Sequence, residues 1–254
     1  MLNQQIPMKK MPDADPTTLW VHSIFPTIQG EGIFAGVPAV FLRLGGCNLQ
    51  CPFCDTDYTE GSEWMQGDQI VYLVRFFMPR KANLVVITGG EPMRQKLGPL
   101  IKTLNDIGYI VQIETNGTLF DDTIEFDKEK VFVMCSPKTG AVNKLLQPHI
   151  TAYKYVGGAN EKYIPAGTFD EDILPAILED HGLMADGLPK QALGHTAKPH
   201  LARPHKGFEG RVYLQPIDTH NPALNAYHTR AVVESCLDNG YTLCLQLHKF
   251  VGVD

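Results

Sequence analysis

From Leu19 onward the chain alternates short apolar runs with longer segments of helical periodicity, and this alternation constrains the fold more than any other feature. Val40-Phe41-Leu42-Arg43-Leu44, Leu84-Val85-Val86-Ile87-Thr88, Tyr109-Ile110-Val111-Gln112-Ile113-Glu114, Val131-Phe132-Val133-Met134-Cys135-Ser136 and Ala152-Tyr153-Lys154-Tyr155-Val156 are strand-length and rich in β-branched or aromatic residues. Near-continuous runs of this kind suit strands buried on both faces, as in a parallel sheet. Arg211-Val212-Tyr213-Leu214-Gln215 and Thr242-Leu243-Cys244-Leu245-Gln246 supply two more, and Leu243 to Phe250 reads as a final strand. Asp68 to Phe77 predicts a helix, with Asp68 as its cap and Ile70, Leu73, Val74 and Phe77 at helical spacing. Leu97 to Ile107, ended by Gly108, predicts a second, and Ala223 to Leu237 a third. The expected class is α/β, with functional loops at the C-terminal ends of parallel strands.

The 254 residues suit one domain with a substantial core. Residues 1–18 are polar and carry three prolines, so a mobile tail is expected there and a single domain over 19–254. Within that domain residues 163–210 break the alternation. They are rich in proline and glycine, hold His181, His195, His200 and His205, and show a helical pattern only from Asp172 to Leu183. This stretch reads as an irregular insertion, a covering loop or a subunit contact, and the histidine spacings fit no metal motif. A net charge of −6 argues against the basic stripe of a nucleic-acid surface. No run of about 18 apolar residues predicts a membrane span, and the N-terminus lacks the apolar stretch of a secretory signal.

Three of the six cysteines, Cys47, Cys51 and Cys54, form a C-x3-C-x2-C loop directly after a predicted strand. Three thiolates on one tight loop can hold three irons of a cubane [4Fe–4S] cluster and leave the fourth open to a small molecule, whereas electron-transfer clusters normally take four cysteines. The alternative is zinc, which needs a fourth ligand from elsewhere in the chain. Cys135, Cys236 and Cys244 lie in or beside apolar runs and read as reduced, buried small hydrophobes, fitting a reducing cytoplasm.

The cysteine loop, followed by Thr88-Gly89-Gly90-Glu91-Pro92 and Glu114-Thr115-Asn116-Gly117, resembles the radical S-adenosylmethionine (SAM) enzymes. Phe25-Pro26-Thr27-Ile28-Gln29-Gly30-Glu31-Gly32, the approach Ala39 to Cys47, the run Cys54-Asp55-Thr56 and the ending Leu245 to Gly252 resemble the 7-carboxy-7-deazaguanine synthase family. The resemblance implies an incomplete (β/α)6-type radical SAM barrel, with the irregular insertion before the last strands. It implies a [4Fe–4S] cluster on Cys47, Cys51 and Cys54, with SAM contacted by Phe53, Cys54, Asp55, Gly89, Gly90, Glu91, Ser136, Pro137, Lys138 and Gln215. Substrate contacts fall on Ile28, Gln29, Gly30, Arg43, Thr88 and the terminal Asp254, and Thr56 becomes a ligand for Mg2+.

The implied reaction is ring contraction of 6-carboxy-5,6,7,8-tetrahydropterin to 7-carboxy-7-deazaguanine with loss of ammonia, through an adenosyl radical and with SAM regenerated. The product feeds deazapurine nucleosides such as queuosine in tRNA. The implied partners are the pterin substrate, an external one-electron donor such as a flavodoxin, and a second copy in a homodimer. Two other readings stay open: a radical SAM activating enzyme acting on a protein, and a non-catalytic zinc-binding module.

Overall fold

The structure, a computed structural model, describes residues 7, 17–51, 54, 56–57, 60–159, 187–189 and 201–253. Among these, nine strands form one sheet: β1 Thr18–Ile28, β2 Pro38–Leu44, β3 Glu63–Gln66, β4 Leu84–Gly89, β5 Ile110–Thr115, β6 Val131–Cys135, β7 Ile150–Gly157, β8 Arg211–Pro216 and β9 Thr242–Leu243. Their order is β3-β1-β2-β4-β5-β6-β7-β8-β9. The strands from β2 to β9 pair in parallel, while β1 is antiparallel to both β2 and β3. The expected parallel strands are present, and β1 and β3 add an antiparallel edge to them. Strand β3 left no signal in the sequence, being a four-residue segment with three exposed side chains.

Period-2 alternation gives the parallel strands an outer and an inner face. The outer face carries Val40, Leu42 and Leu44 of β2, Val85 and Ile87 of β4, Val111 and Ile113 of β5, and Tyr153 and Tyr155 of β7. These join one core with Ile70 and Val74 of helix α1 (Gly67–Phe77), Ile101 and Leu104 of helix α2 (Gly98–Asp106) and Val232 of helix α3 (Pro222–Asn239). The inner face is apolar below, where Ala39, Leu84 and Val86 pack together. Above that plug the same alternation brings up Arg43, Thr88, Glu114, Lys154 and Gln215, all toward the strand C-termini.

Helix α1 begins one residue earlier than expected, and its cap is Gln66 rather than Asp68. The Gln66 N–H donates to the Gln69 side chain (2.9 Å), leaving Asp68 in the first turn, where its charge still favours the positive helix end. Helix α3 starts at Asn221, whose side chain accepts from the Ala223 N–H (3.0 Å), and ends at Gly240 in a left-handed turn (φ +72°). The expected strand over Leu243 to Phe250 does not form. Strand β9 stops after two residues, and Leu247–Val251 is a short helix, α4. Between β5 and β6 and between β6 and β7 no α-helix intervenes. Phe120, Phe126 and His149 stack there instead, with Phe126 and His149 centroids 4.1 Å apart.

Parts of the 163–210 stretch belong to the core. Leu188, Leu201 and Ala202 are buried, the Ala202 N–H donates to Thr139 O (2.9 Å), and the Tyr155 hydroxyl donates to Ala202 O (2.9 Å). His205 packs with Tyr153 and Phe208 in an aromatic group. His181, His195, His200 and the Asp172–Leu183 helical pattern lie outside the described residues, as does most of the 1–18 tail, although strand β1 already includes Thr18. No helix among the described residues is long and apolar enough to cross a membrane.

Candidate active site

Strand β2 runs straight into the cysteine loop, and two glycines allow the close packing around it. A Cβ on Gly45 would lie 1.9 Å from Trp20 Cδ1, so that glycine makes room for the indole rather than for a bound group. A Cβ on Gly90 would lie 1.9 Å from Gly46 O. With neither obstacle, the Gly90 N–H donates to Leu44 O (2.9 Å) and the Glu91 N–H to Gly46 O (3.0 Å), joining the β4 loop to the cysteine loop. Inside the loop the Leu49 N–H donates to Cys47 Sγ (3.4 Å) and the Cys54 N–H to Cys51 O (3.1 Å). Burial pushes the Cys47 thiol up to about 12, against the Leu49 N–H that favours its thiolate. Burial likewise pushes Cys51 up to about 11, opposed by the nearby Lys138 charge. Metal ligation at these thiols therefore releases protons.

Glu91 is buried, and its carboxylate accepts from the Met93 N–H (3.0 Å), the Thr115 hydroxyl (2.7 Å) and the Asn116 N–H (2.7 Å). Burial raises its pKa, while those three donors lower it. The side chain thus fastens the end of β4 to the end of β5 and does not line the cavity. Asn116 extends the tie by donating to Asn48 Oδ1 (3.0 Å), and Asn48 donates to Thr118 (2.9 Å), which anchors the segment between Cys47 and Cys51. Arg94 closes the same turn. Its Nη1 and Nη2 are buried with no hydrogen-bond partner among the described residues.

The strand C-termini enclose a cavity of about 770 Å³. Cys47, Cys51, Cys54, Thr56, Gly89, Gly90, Ser136, Lys138 and Gln215 line it, together with Ile28, Gln29, Arg43 and Thr88. Gly30 and Pro137 do not line it; Gly30 O accepts from the Leu247 N–H (3.1 Å), seating α4. Phe53, Asp55 and Asp254 lie outside the described residues. Register places Arg43 beside Thr88, and the Arg43 Cζ lies 5.2 Å from the Phe25 ring centroid. The Arg43 Nε is buried with no hydrogen-bond partner among the described residues. Lys138 Nζ donates to Ser136 O (3.1 Å) and to the Ser136 hydroxyl, and burial depresses its pKa.

A polar floor crosses the cavity. Lys154 is buried on β7, in ion pairs with Glu31 and, at 3.8 Å, with Glu114. Burial alone would depress the Lys154 ammonium, but the Glu114 and Glu31 carboxylates outweigh it and hold the pKa above the usual lysine range. Glu114 also accepts from Gln29 (3.0 Å) and Gln112 (2.9 Å), and Glu31 accepts from Gln246 (2.9 Å). The lysine within Ala152-Tyr153-Lys154-Tyr155-Val156 was the available signal, since a charge inside an apolar strand needs a buried partner.

Among the described residues no three His, Cys, Asp or Glu side chains converge on one point. The three thiol donors and the unpartnered Arg43 Nε, on the lining of one cavity, fit a cluster with a bound small molecule. The hydroxyl of Thr56 fits magnesium, which takes oxygen ligands and keeps much of its water.

The radical SAM superfamily matches residues 42–155, the span from β2 through the cysteine loop to β7. A 7-carboxy-7-deazaguanine synthase of Rhodospirillum rubrum is 39% identical over 94% of this chain and 94% of its own. Another of Rickettsia prowazekii is 38% identical over 98% of this chain and 94% of its own. The crystal structure of QueE from Escherichia coli matches with a TM-score of 0.60 at 25% identity, covering 90% of this chain and 94% of that one. Near-full-length identity at this level, on a partial barrel whose three-cysteine loop opens into the cavity, places this chain in the 7-carboxy-7-deazaguanine synthase family of radical SAM enzymes.

Proposed function

We propose that the protein converts 6-carboxy-5,6,7,8-tetrahydropterin to 7-carboxy-7-deazaguanine with loss of ammonia, in the biosynthesis of deazapurines such as queuosine. One observation carries the reading: Arg43, with an unsatisfied buried Nε, shares a cavity with the three cysteines. The cavity's volume of about 770 Å³ falls in the range of about 300–1,000 Å³ usual for small-molecule sites. That size suits a small molecule such as a pterin.

Cys47, Cys51 and Cys54 hold the [4Fe–4S] cluster, and the Gly89-Gly90 backbone edge, Ser136, Lys138 and Gln215 seat SAM. Cluster and SAM together supply radical chemistry when bound. Arg43 pairs with the substrate carboxylate as a planar fork, with Thr88 beside it. Gln29 and Glu114 present an amide and a carboxylate to the flat polar edge of a pterin, positioned by their mutual 3.0 Å hydrogen bond. Lys154, 3.8 Å from Glu114, steadies the carboxylate in that position. Thr56 is the protein ligand for Mg2+, which orients the substrate carboxylate region.

The protein takes its electron from an external donor of the flavodoxin type and works in the cytoplasm. It assembles as a homodimer, a reading supported by the exposed, stacked Tyr72 and Phe76 on α1. The deciding experiment is anaerobic incubation of iron-loaded protein with the pterin, SAM, Mg2+ and a reductant, followed by mass analysis. The expected product is 7-carboxy-7-deazaguanine. SAM cleavage with the pterin unchanged would overturn the assignment and favour an activating enzyme.

A further inference from the structure

Arg94 has no assigned role, and its surroundings call for one. It ends the Pro92–Arg94 turn of 3-10 helix directly after the Gly89-Gly90 edge. That turn is held by the Arg94 N–H to Glu91 O (3.2 Å) and, through the Glu91 N–H to Gly46 O (3.0 Å), against the residue before Cys47. Nη1 and Nη2 are both buried with no hydrogen-bond partner among the described residues. Burying a guanidinium with unmade hydrogen bonds is costly unless another group completes the site. Glu91, one charged neighbour, spends its carboxylate on Met93, Thr115 and Asn116. The other charged neighbour is Cys47, which lines the cavity where Arg94 does not, and whose preceding residue Gly46 accepts from the Glu91 N–H (3.0 Å).

We propose that Arg94 is a positioning residue for the metal centre, reserving its terminal nitrogens and its charge for the Cys47 corner and thereby raising the reduction potential. The sign follows from charge. A cubane in its 2+ state carried by three thiolates has a net charge of −1, and reduction takes it to −2. A fixed cation stabilises the more negative state more, so reduction becomes easier. The family's radical chemistry begins with electron entry, so a raised potential widens the set of donors able to drive it. This inference rests on the three cysteines holding the cluster, which iron content reads separately from the potential.

The test uses anaerobically iron-loaded full-length protein, with the potential read by spin-resonance-monitored redox titration. Arg94→Met keeps the apolar length and removes the charge. It should hold the parent's iron and shift the reduction equilibrium at least tenfold toward the oxidised form, equivalent to ~59 mV for a one-electron couple. Arg94→Lys keeps the charge and should stay near the parent. A full-iron Arg94→Met protein at the parent's potential would overturn the proposal. If Arg94→Met takes up too little iron to titrate, Arg94→Lys decides. Restored iron and a parent-like potential support the charge role, while failure of both variants to load makes Arg94 a packing residue and overturns it. Equal potentials accompanied by equal losses of stability in cluster-free Arg94→Met and Glu91→Gln proteins would assign Arg94 to balancing Glu91, and also overturn it.

Discussion

Arg43 is held from below by the Phe25 ring, 5.2 Å from its Cζ, and from the side by the register that pairs it with Thr88. Such a guanidinium is pre-set before any ligand arrives. Arg43→Met should therefore leave iron content and SAM binding intact and weaken pterin binding by about 2–5 kcal/mol, the usual cost of deleting one partner of a buried charged pair. Calorimetric titration with the pterin reads this directly, and an unchanged affinity would move the carboxylate contact elsewhere. Glu91 behaves differently because its carboxylate faces protein. Glu91→Ala strands three buried donors, at about 1–3 kcal/mol each, so urea unfolding of the cluster-free protein should lose at least about 3 kcal/mol. Thr115→Val, which removes one of the three and also the acceptor of the Gly117 N–H (3.0 Å), should cost about 1–3 kcal/mol. A Glu91 that acted only on a cofactor would leave cluster-free stability untouched. The family resemblance marked Glu91 as a SAM contact, yet no sequence pattern reveals which way a carboxylate turns; its three donors come from residues 93, 115 and 116.

Helix α4 joins the cavity wall through a few polar contacts. Lys249 donates to Asp218 Oδ2 (2.6 Å) at the end of β8, and Asp218 Oδ1 also accepts from the His220 N–H (2.8 Å) and Asn225 (2.8 Å). Partial burial would raise the Asp218 pKa, but the Lys249, His220 and Asn225 donors prevail and hold it well below the usual carboxylate range. A carboxylate depressed on folding stabilises above its unfolded pKa of about 3.9 and loses that contribution as pH falls toward the folded value. Asp218→Asn should thus lower the melting temperature of cluster-free protein near neutrality, and the gap to the parent should close as pH drops below about 4. A pH-independent gap would assign the loss to packing. The β-branched runs of β2, β4, β5 and β6 were legible because burial on both faces leaves a continuous apolar signature. Helix α4 was not, because His248 and Lys249 line the cavity while Phe250 and Val251 are exposed. Its periodicity reports contact with a site rather than with a core. The Gln66 cap escaped for a related reason: glutamine caps only through a partner, Gln69, that composition does not single out.

The whole sheet has one outer core, reaching from Leu19 on β1 to Val232 on α3. Both tryptophans sit at its antiparallel end, Trp20 on β1 paired with Trp64 on β3, their ring centroids 4.9 Å apart and nearly perpendicular. That edge is fastened to the catalytic end of the parallel strands. The Trp20 N–H donates to Gln95 (2.7 Å), Gln95 returns a bond to Trp20 O (3.1 Å), and the Gly45 N–H, at the head of the cysteine loop, donates to the same oxygen (2.9 Å). A shared core and these cross-ties make the edge and the barrel strands one cooperative unit. Tryptophan fluorescence, which reports the β1–β3 edge, should then unfold at the same urea concentration as far-UV circular dichroism, which reports the whole sheet. Leu214 tests the coupling from the far side, since it is fully buried on β8 with five strands between it and β1. Leu214→Ala should cost about 2–5 kcal/mol and move both midpoints by the same amount, although it lies nowhere near either indole. A fluorescence midpoint that stays in place while the dichroism midpoint falls would show that the antiparallel edge folds on its own. In that case Gly45 would join two separately stable parts, and the cysteine loop would sit at a hinge.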